Sequence, residues 1–278
     1  MSGASPRRPV LGAVLAALAL AAAACGGDGA TVQGVKLVGK GRLTSCAHLP
    51  HPPFQTERGG RVVGFDVEML DLVARRLGVT QRVVEVPFAT MTNGEALEAR
   101  RCDVVMGAMA ITPERTASMD ASKPYFDAAL ALVARKGGGI GSLEEVEAGG
   151  LRLGAQSSTA GEQYVKDRDF DPRSYDDPQA ALNGLRAGKV DAVVLDYPVA
   201  RNLLRPPAGS GMEIVATPRT GERYGFWVRK NRNRALVRLI DQVIDQARAD
   251  GTYERMYRKW IGPVPKAGGD DRSGGASR

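Results

Sequence analysis

Two side chains in this sequence stand where a small charged molecule could be held. Arg115 closes the run Ala110-Ile111-Thr112-Pro113-Glu114-Arg115, just past an apolar stretch from Asp103 to Met109. Arginine is a natural partner for a carboxylate because its planar fork can donate two parallel hydrogen bonds. Asp196 follows the apolar run Ala192-Val193-Val194-Leu195 and precedes Tyr197-Pro198. An ionised aspartate only accepts hydrogen bonds, which suits an ammonium group, although it could equally cap the helix that follows. No Ser-His-Asp arrangement is visible, and no Gly-x-x-x-x-Gly-Lys loop for nucleotide phosphates. Two histidines, His48 and His51, and the cysteines Cys46 and Cys102 lack zinc-site spacing. The chemistry on offer is recognition, with no metal or cofactor expected.

The elements that must position these residues alternate between strand and helix. Arg42 to Ala47 reads as a strand. Asp66 to Leu77 carries Val67, Leu70, Val73, Ala74 and Leu77 at helical spacing, and Gly78 is a natural stop. A strand (82–86), a short helix (95–101) and a buried strand (103–109) follow. The pattern restarts with a strand at 130–135 and a helix opened by Ser142, with Glu145 completing a capping box. Then come a strand at 151–155, a helix opened by Asp177-Pro178 and closed by Gly188, and a strand at 190–195. The expected fold is α/β in two lobes, each a mostly parallel sheet flanked by helices. Ligands of such sheets bind beyond the carboxyl ends of the strands.

The ends of the chain read differently. Arg7 and Arg8 precede an apolar run from Val10 to Ala24 that stops at Cys25 and Gly26-Gly27. This is too short for a comfortable span and has the layout of an export signal. It resembles a bacterial lipobox, which implies lipidation of Cys25 and a lipid anchor on the outer face of the cytoplasmic membrane. Loss of residues 1–24 lowers the formal net charge from +7 to +5, since Arg7 and Arg8 are its only charged residues. Residues 25–39 read as a tether and 264–278 as a disordered tail. The charges, 38 basic and 31 acidic, are interleaved without a dense basic run, so no nucleic-acid partner is expected. Cys46 and Cys102 form an even pair in an exported chain, and a disulfide is possible. If their strands are parallel neighbours, the sulfurs could lie too far apart.

An ordered set of motifs resembles the family 3 solute-binding proteins of polar amino-acid ABC transporters, from Arg42 to Gly262. These are His51-Pro52-Pro53-Phe54, Val63-Gly64-Phe65-Asp66-Val67-Glu68, Ile111-Thr112-Pro113-Glu114-Arg115, Lys123-Pro124-Tyr125-Phe126, Asp250-Gly251-Thr252-Tyr253 and Lys259-Trp260-Ile261-Gly262. The resemblance implies a type II periplasmic-binding-protein fold. Lobe one would be 40–129 plus 225–263, lobe two 131–222, and the ligand would lie in the cleft between them. It implies Arg115 as the carboxylate clamp and Asp196 as the ammonium acceptor. Thr159 and Ala160 would offer backbone N–H groups, and Ala108 and Ala110 backbone groups of lobe one. His51, His48, Phe88, Thr90 and Gln156 fall at or near positions that surround the ligand side chain. His48 replaces an aspartate used by binders of basic amino acids, which tilts the expectation towards a small polar or acidic amino acid. The implied partners are a permease and its ATPase, and the implied state is a monomer. Two rivals stand beside this reading: a sensor or accessory binding lipoprotein, and an exported dehydratase-like enzyme on the same fold.

Overall fold

The computed structural model describes residues 30–218 and 220–262, together with Met1 and Gly3. The expected signal segment, Cys25 and the C-terminal tail lie outside the described residues.

Two five-stranded sheets organise the chain. In the first, the spatial order is Thr80–Glu85, Arg42–Ala47, Val104–Val105, Trp227–Arg229 and Met119–Ala121. The first three strands are parallel, joined through helices, and Trp227–Arg229 is antiparallel to both of its neighbours. In the second, the order is Arg173–Tyr175, Leu153–Gln156, Ala192–Asp196, Leu130–Arg135 and Met212–Ala216. Again three are parallel, and Leu130–Arg135 runs antiparallel on both sides. Both sheets are therefore mixed. The antiparallel strands are those that arrive from the other sheet, without a helical crossover to turn them parallel. The arriving segments pair as a short antiparallel ribbon, Phe126–Asp127 with Arg223–Tyr224.

Burial on both faces explains the apolar strands. Along Leu130–Arg135, Leu130 and Leu132 join one cluster while Ala131 and Val133 join the cluster on the opposite face. The first sheet packs Phe65–Leu77 and the C-terminal helices Arg234–Ala249 and Thr252–Trp260 on one face, through Leu70, Val73, Ile240, Ile244 and Met256. Its other face holds Leu97, Trp227 and the two cysteines. Cys46 and Cys102 are bonded, with Cα atoms 5.6 Å apart. Their strands are parallel neighbours, but Cys102 precedes the strand proper. There the chain descends from helix Glu95–Glu98 onto the face to which Cys46 points.

The expected tether needs correction. Residues 30–37 form a hairpin, Ala30–Val32 with Val35–Leu37, whose Val35 and Leu37 are buried in the core of the first sheet. Asn233 donates to the Lys36 carbonyl at 2.8 Å and fixes the hairpin to the start of a C-terminal helix. The small residues before it masked an alternation of apolar side chains too short to register as a strand.

Candidate functional site

The carboxyl ends of the parallel strands in the two sheets face each other, and the chemistry-bearing residues follow them directly. From the first sheet come His51, Phe88, Ala108, Ala110 and Arg115; from the second, Thr159, Ala160 and Asp196; from the connecting ribbon, Tyr224. All nine line one central cavity. It is nearly closed, with about 10 Å³ of room, space for about one water. Wider openings flank it, about 540 Å³ beside Arg115 and Thr159 and about 590 Å³ beside His48 and Phe88.

Arg115 sits in helix Pro113–Ser118, capped by Thr112, whose hydroxyl accepts from the Arg115 N–H. Arg115 is 7% exposed. Nη1 donates to the Ala110 carbonyl at 2.9 Å and Nη2 to the Ser158 carbonyl at 2.9 Å, so one fork touches both sheets. Burial lowers its pKa, opposed by Asp196 and Glu222. Asp196 ends its strand and stands at the N-cap of helix Tyr197–Leu203 without a side-chain capping bond. The alternative role left open by the sequence is therefore not taken up, and the carboxyl remains available. Burial raises it to about 7, aided by Glu222 and opposed by Tyr224 and Arg115. The buried Tyr224 hydroxyl, beside Asp196, has no hydrogen-bond partner of good geometry.

The backbone around the cavity is held from behind. Asp66, fully buried, accepts from Gly107 N–H and Ala108 N–H, both at 3.0 Å, and from the Tyr125 hydroxyl at 2.7 Å. These bonds hold Ala108 at φ 51°, a left-handed conformation that an alanine adopts at a cost. Across the cleft, Thr159 caps helix Ala160–Lys166 by accepting from Glu162 N–H at 3.1 Å. Glu162 in turn accepts from Ser158 N–H, one residue before the cap, at 2.9 Å, which holds Ser158 at φ 61°. The spacing Thr159-x-x-Glu162 was legible in the sequence, as was Asp66 within Gly-Phe-Asp, but neither signalled a supporting role for the cleft.

The side-chain end differs from expectation in detail. His51 is 4% exposed, stacked on Phe54, and burial lowers its pKa to about 4, so it is neutral at pH 7. Its Nε2 has no partner. His48 faces Phe88, with ring centroids 6.1 Å apart, in the neighbouring opening. That opening also presents Glu85 and Asp176, two carboxylates that sequence reasoning missed because they lie on strand and loop ends far apart in the chain. Thr90 is not in the lining of the central cavity, and its hydroxyl donates to the Pro87 carbonyl at 2.8 Å, inside its own helical turn. Gln156 lies behind the cleft wall and donates to the Asp176 carbonyl at 3.3 Å.

Residues 43–263 match the bacterial extracellular solute-binding proteins, family 3. A probable histidine-binding protein of Neisseria gonorrhoeae is 28% identical over 261 residues, 90% of this chain and 94% of that protein. The L-cystine-binding protein TcyJ of Escherichia coli is 26% identical over 82% of this chain and 85% of its own length. Among solved structures, an ancestral arginine-binding protein bound to arginine superposes with a TM-score of 0.73 at 34% identity, covering 80% of this chain and 99% of that one. The arginine-, lysine-, histidine-binding protein ArtJ of Geobacillus stearothermophilus gives 0.73 at 25% identity, over 81% and 97% of the two chains. With two sheets meeting at strand ends on a shared cavity and a family match over most of its length, the chain belongs to the bacterial extracellular solute-binding proteins of family 3.

Proposed function

We propose that this protein is the substrate-binding subunit of an ABC importer for a polar amino acid. The observation that carries this reading is the placement of Arg115 and Asp196, from opposite sheets, on one narrow cavity. A zwitterion fits that pair: the carboxylate takes the guanidinium fork from the backbone carbonyls, and the ammonium takes Asp196. Thr159 and Ala160 add backbone donors, and the loop 108–110 adds backbone groups. Because the central space is nearly closed, an amino acid enters only when the sheets separate about the ribbon 126–127 and 223–224. The ligand then bridges the two lobes, taking over the contact that Arg115 makes with Ser158, and favours the closed form by its differential affinity. The closed form is what the permease reads.

Ligand class follows from the side-chain opening. Glu85 and Asp176 beside His48 repel an acidic side chain, which revises the expectation from the sequence towards a neutral polar or cationic one. The names of the relatives, binders of histidine, arginine, cystine and glutamine, agree with that range. The lipobox-like segment ending at Cys25 supports a lipid anchor on the outer face of the cytoplasmic membrane. An enzymatic reading has one point in its favour: another similar structure is an ancestral amino-acid-binding protein described as a precursor of cyclohexadienyl dehydratase, 27% identical. The binder reading is preferred because the charged groups of the cavity pair with a zwitterion without bond-making.

The test is a thermal-unfolding screen of refolded, ligand-stripped protein against the twenty amino acids. A binder at hundredfold excess over its Kd adds about 2.7 kcal/mol to stability. A shift with a neutral or basic amino acid supports the reading, and no shift with any of the twenty refutes it. Turnover of a cyclohexadienyl acid would favour the enzyme.

A further inference from the structure

A second concavity lies at the opposite edge of the first sheet from the cleft. It encloses about 280 Å³ and is lined by Lys36, Arg100, Arg229 and Arg232, with Asn233 beside them. These residues come from the N-terminal hairpin, the turn after helix Glu95–Glu98, and the segment after strand Trp227–Arg229. All of them sit at the amino ends of the parallel strands. The six-residue strand Arg42–Ala47 therefore separates this pocket from the cleft by about 20 Å, and the two share no lining residue.

Its positive charge is only partly offset, by Glu98 and Asp103. Arg229 pairs with Glu98 at 2.8 Å. Lys36, Arg100 and Arg232 are exposed and form no ion pair among the described residues. The acid in the lining, Asp103, accepts from Val38 N–H at 2.6 Å and Thr44 N–H at 2.8 Å, and its charge acts on Arg100. Four basic side chains against the carboxylates of Glu98 and Asp103 leave the concave surface net positive, which suits an anionic oxygen cluster such as a phosphate diester.

The position of the pocket names the source of that anion. Lys36 belongs to the hairpin that starts at Ala30, five residues after Cys25. Five residues span at most about 18 Å even when fully extended. With Cys25 in the bilayer, which rests on the anchoring proposed above, the hairpin starts within about 18 Å of the anchor, and its pocket can reach the headgroup layer.

We propose that this basic pocket docks anionic phospholipid headgroups and lays the first lobe on the membrane with the cleft edge towards the medium. The lipid anchor supplies attachment and the pocket supplies orientation. Each basic side chain near an anionic surface strengthens partitioning about fivefold, so three neutralisations together weaken it about a hundredfold.

The experiment uses residues 26–278, which contain every strand and helix of both sheets and lack the lipid-bearing cysteine. Co-sedimentation is measured with vesicles of phosphatidylcholine alone and of phosphatidylcholine with phosphatidylglycerol, at low and at physiological salt. The proposal expects binding only to the anionic vesicles, weakened by salt, and reduced about a hundredfold in K36Q/R100Q/R232Q. A control, K136Q/K189Q/R205Q, removes the same charge from exposed positions of the second lobe and should retain binding. Equal binding to both vesicle types, no binding to either, or equal loss in the two triple variants overturns the proposal. Melting curves of both variants show that they are folded. The anchoring reading is read out separately, by the mass of the N-terminal peptide from cells.

Discussion

Asp196 provides a quantitative link between the acidity of the medium and ligand capture. Its carboxyl is raised to about 7 in the ligand-free protein, by burial first and by the neighbouring Glu222 next. Glu222 is itself raised by burial, so the two titrate as a pair facing Arg115 and Tyr224. A ligand ammonium requires the ionised form, so binding must expel any proton held there. With a ligand-free pKa of about 7, the apparent Kd rises about tenfold between pH 8 and pH 6, and about half a proton is released per ligand bound at pH 7. His51, at about 4, titrates below this window and does not contribute. Isothermal titration in buffers of different ionisation enthalpy measures both quantities. Asp196→Asn should bind far more weakly and lose the dependence on pH. An affinity that is flat from pH 8 to pH 6 in the unmodified protein, with no proton released, would refute the assignment of Asp196 as the ammonium acceptor.

Other expectations concern stability. The same raised pKa values, at Asp66 as well as Asp196, mean that ligand-free stability is full below the unfolded carboxylate range near 4 and is lost as pH rises through about 7. The melting temperature should therefore fall from pH 5 to pH 8, and less steeply in Asp196→Asn. Replacing both cysteines by serine opens a loop with a sequence separation of 56; chain entropy puts the loss at about 4 kcal/mol in urea unfolding, with ligand affinity unchanged because the bond lies outside the cavity. Gly64→Ala would place a Cβ 2.1 Å from the Phe54 carbonyl oxygen at φ 151°, and should destabilise by about 3 kcal/mol or more. Asp66→Ala strands two N–H groups and a hydroxyl behind the cleft, for a loss of about 3 kcal/mol or more in the same assay.

Much of the scaffold was legible because it rests on local chemistry. The Gly78 stop, the Ser142 cap and the Asp177-Pro178 helix start are each specified within four residues, and the structure has all three, although Glu145 accepts from Gly141 N–H and not from that of Ser142. The direction of strands was less legible. Leu130–Arg135 has the same apolar character as its parallel neighbours, and only the route of the chain between sheets makes it antiparallel. The disulfide could not be decided from spacing, since it depends on where the chain leaves a helix layer. Residues named beside recognisable motifs, Arg115, Asp196, Thr159 and Ala160 among them, line the central cavity. Tyr224, Glu222, Glu85 and Asp176 were not named, because they come together only through folding. Thr90 was assigned by position alone, and its hydroxyl donates within its own helical turn.

The central claim is that Arg115 and Asp196 together hold the two charged ends of an amino acid. The most direct test is titration calorimetry of the unmodified protein, Arg115→Ala and Asp196→Ala with the amino acid that stabilises it most. Removing one partner of a desolvated, hydrogen-bonded charge pair costs about 2–5 kcal/mol, so each variant should bind about thirtyfold to several-thousandfold more weakly while melting cooperatively. Binding within threefold of the unmodified protein in either folded variant would contradict the account.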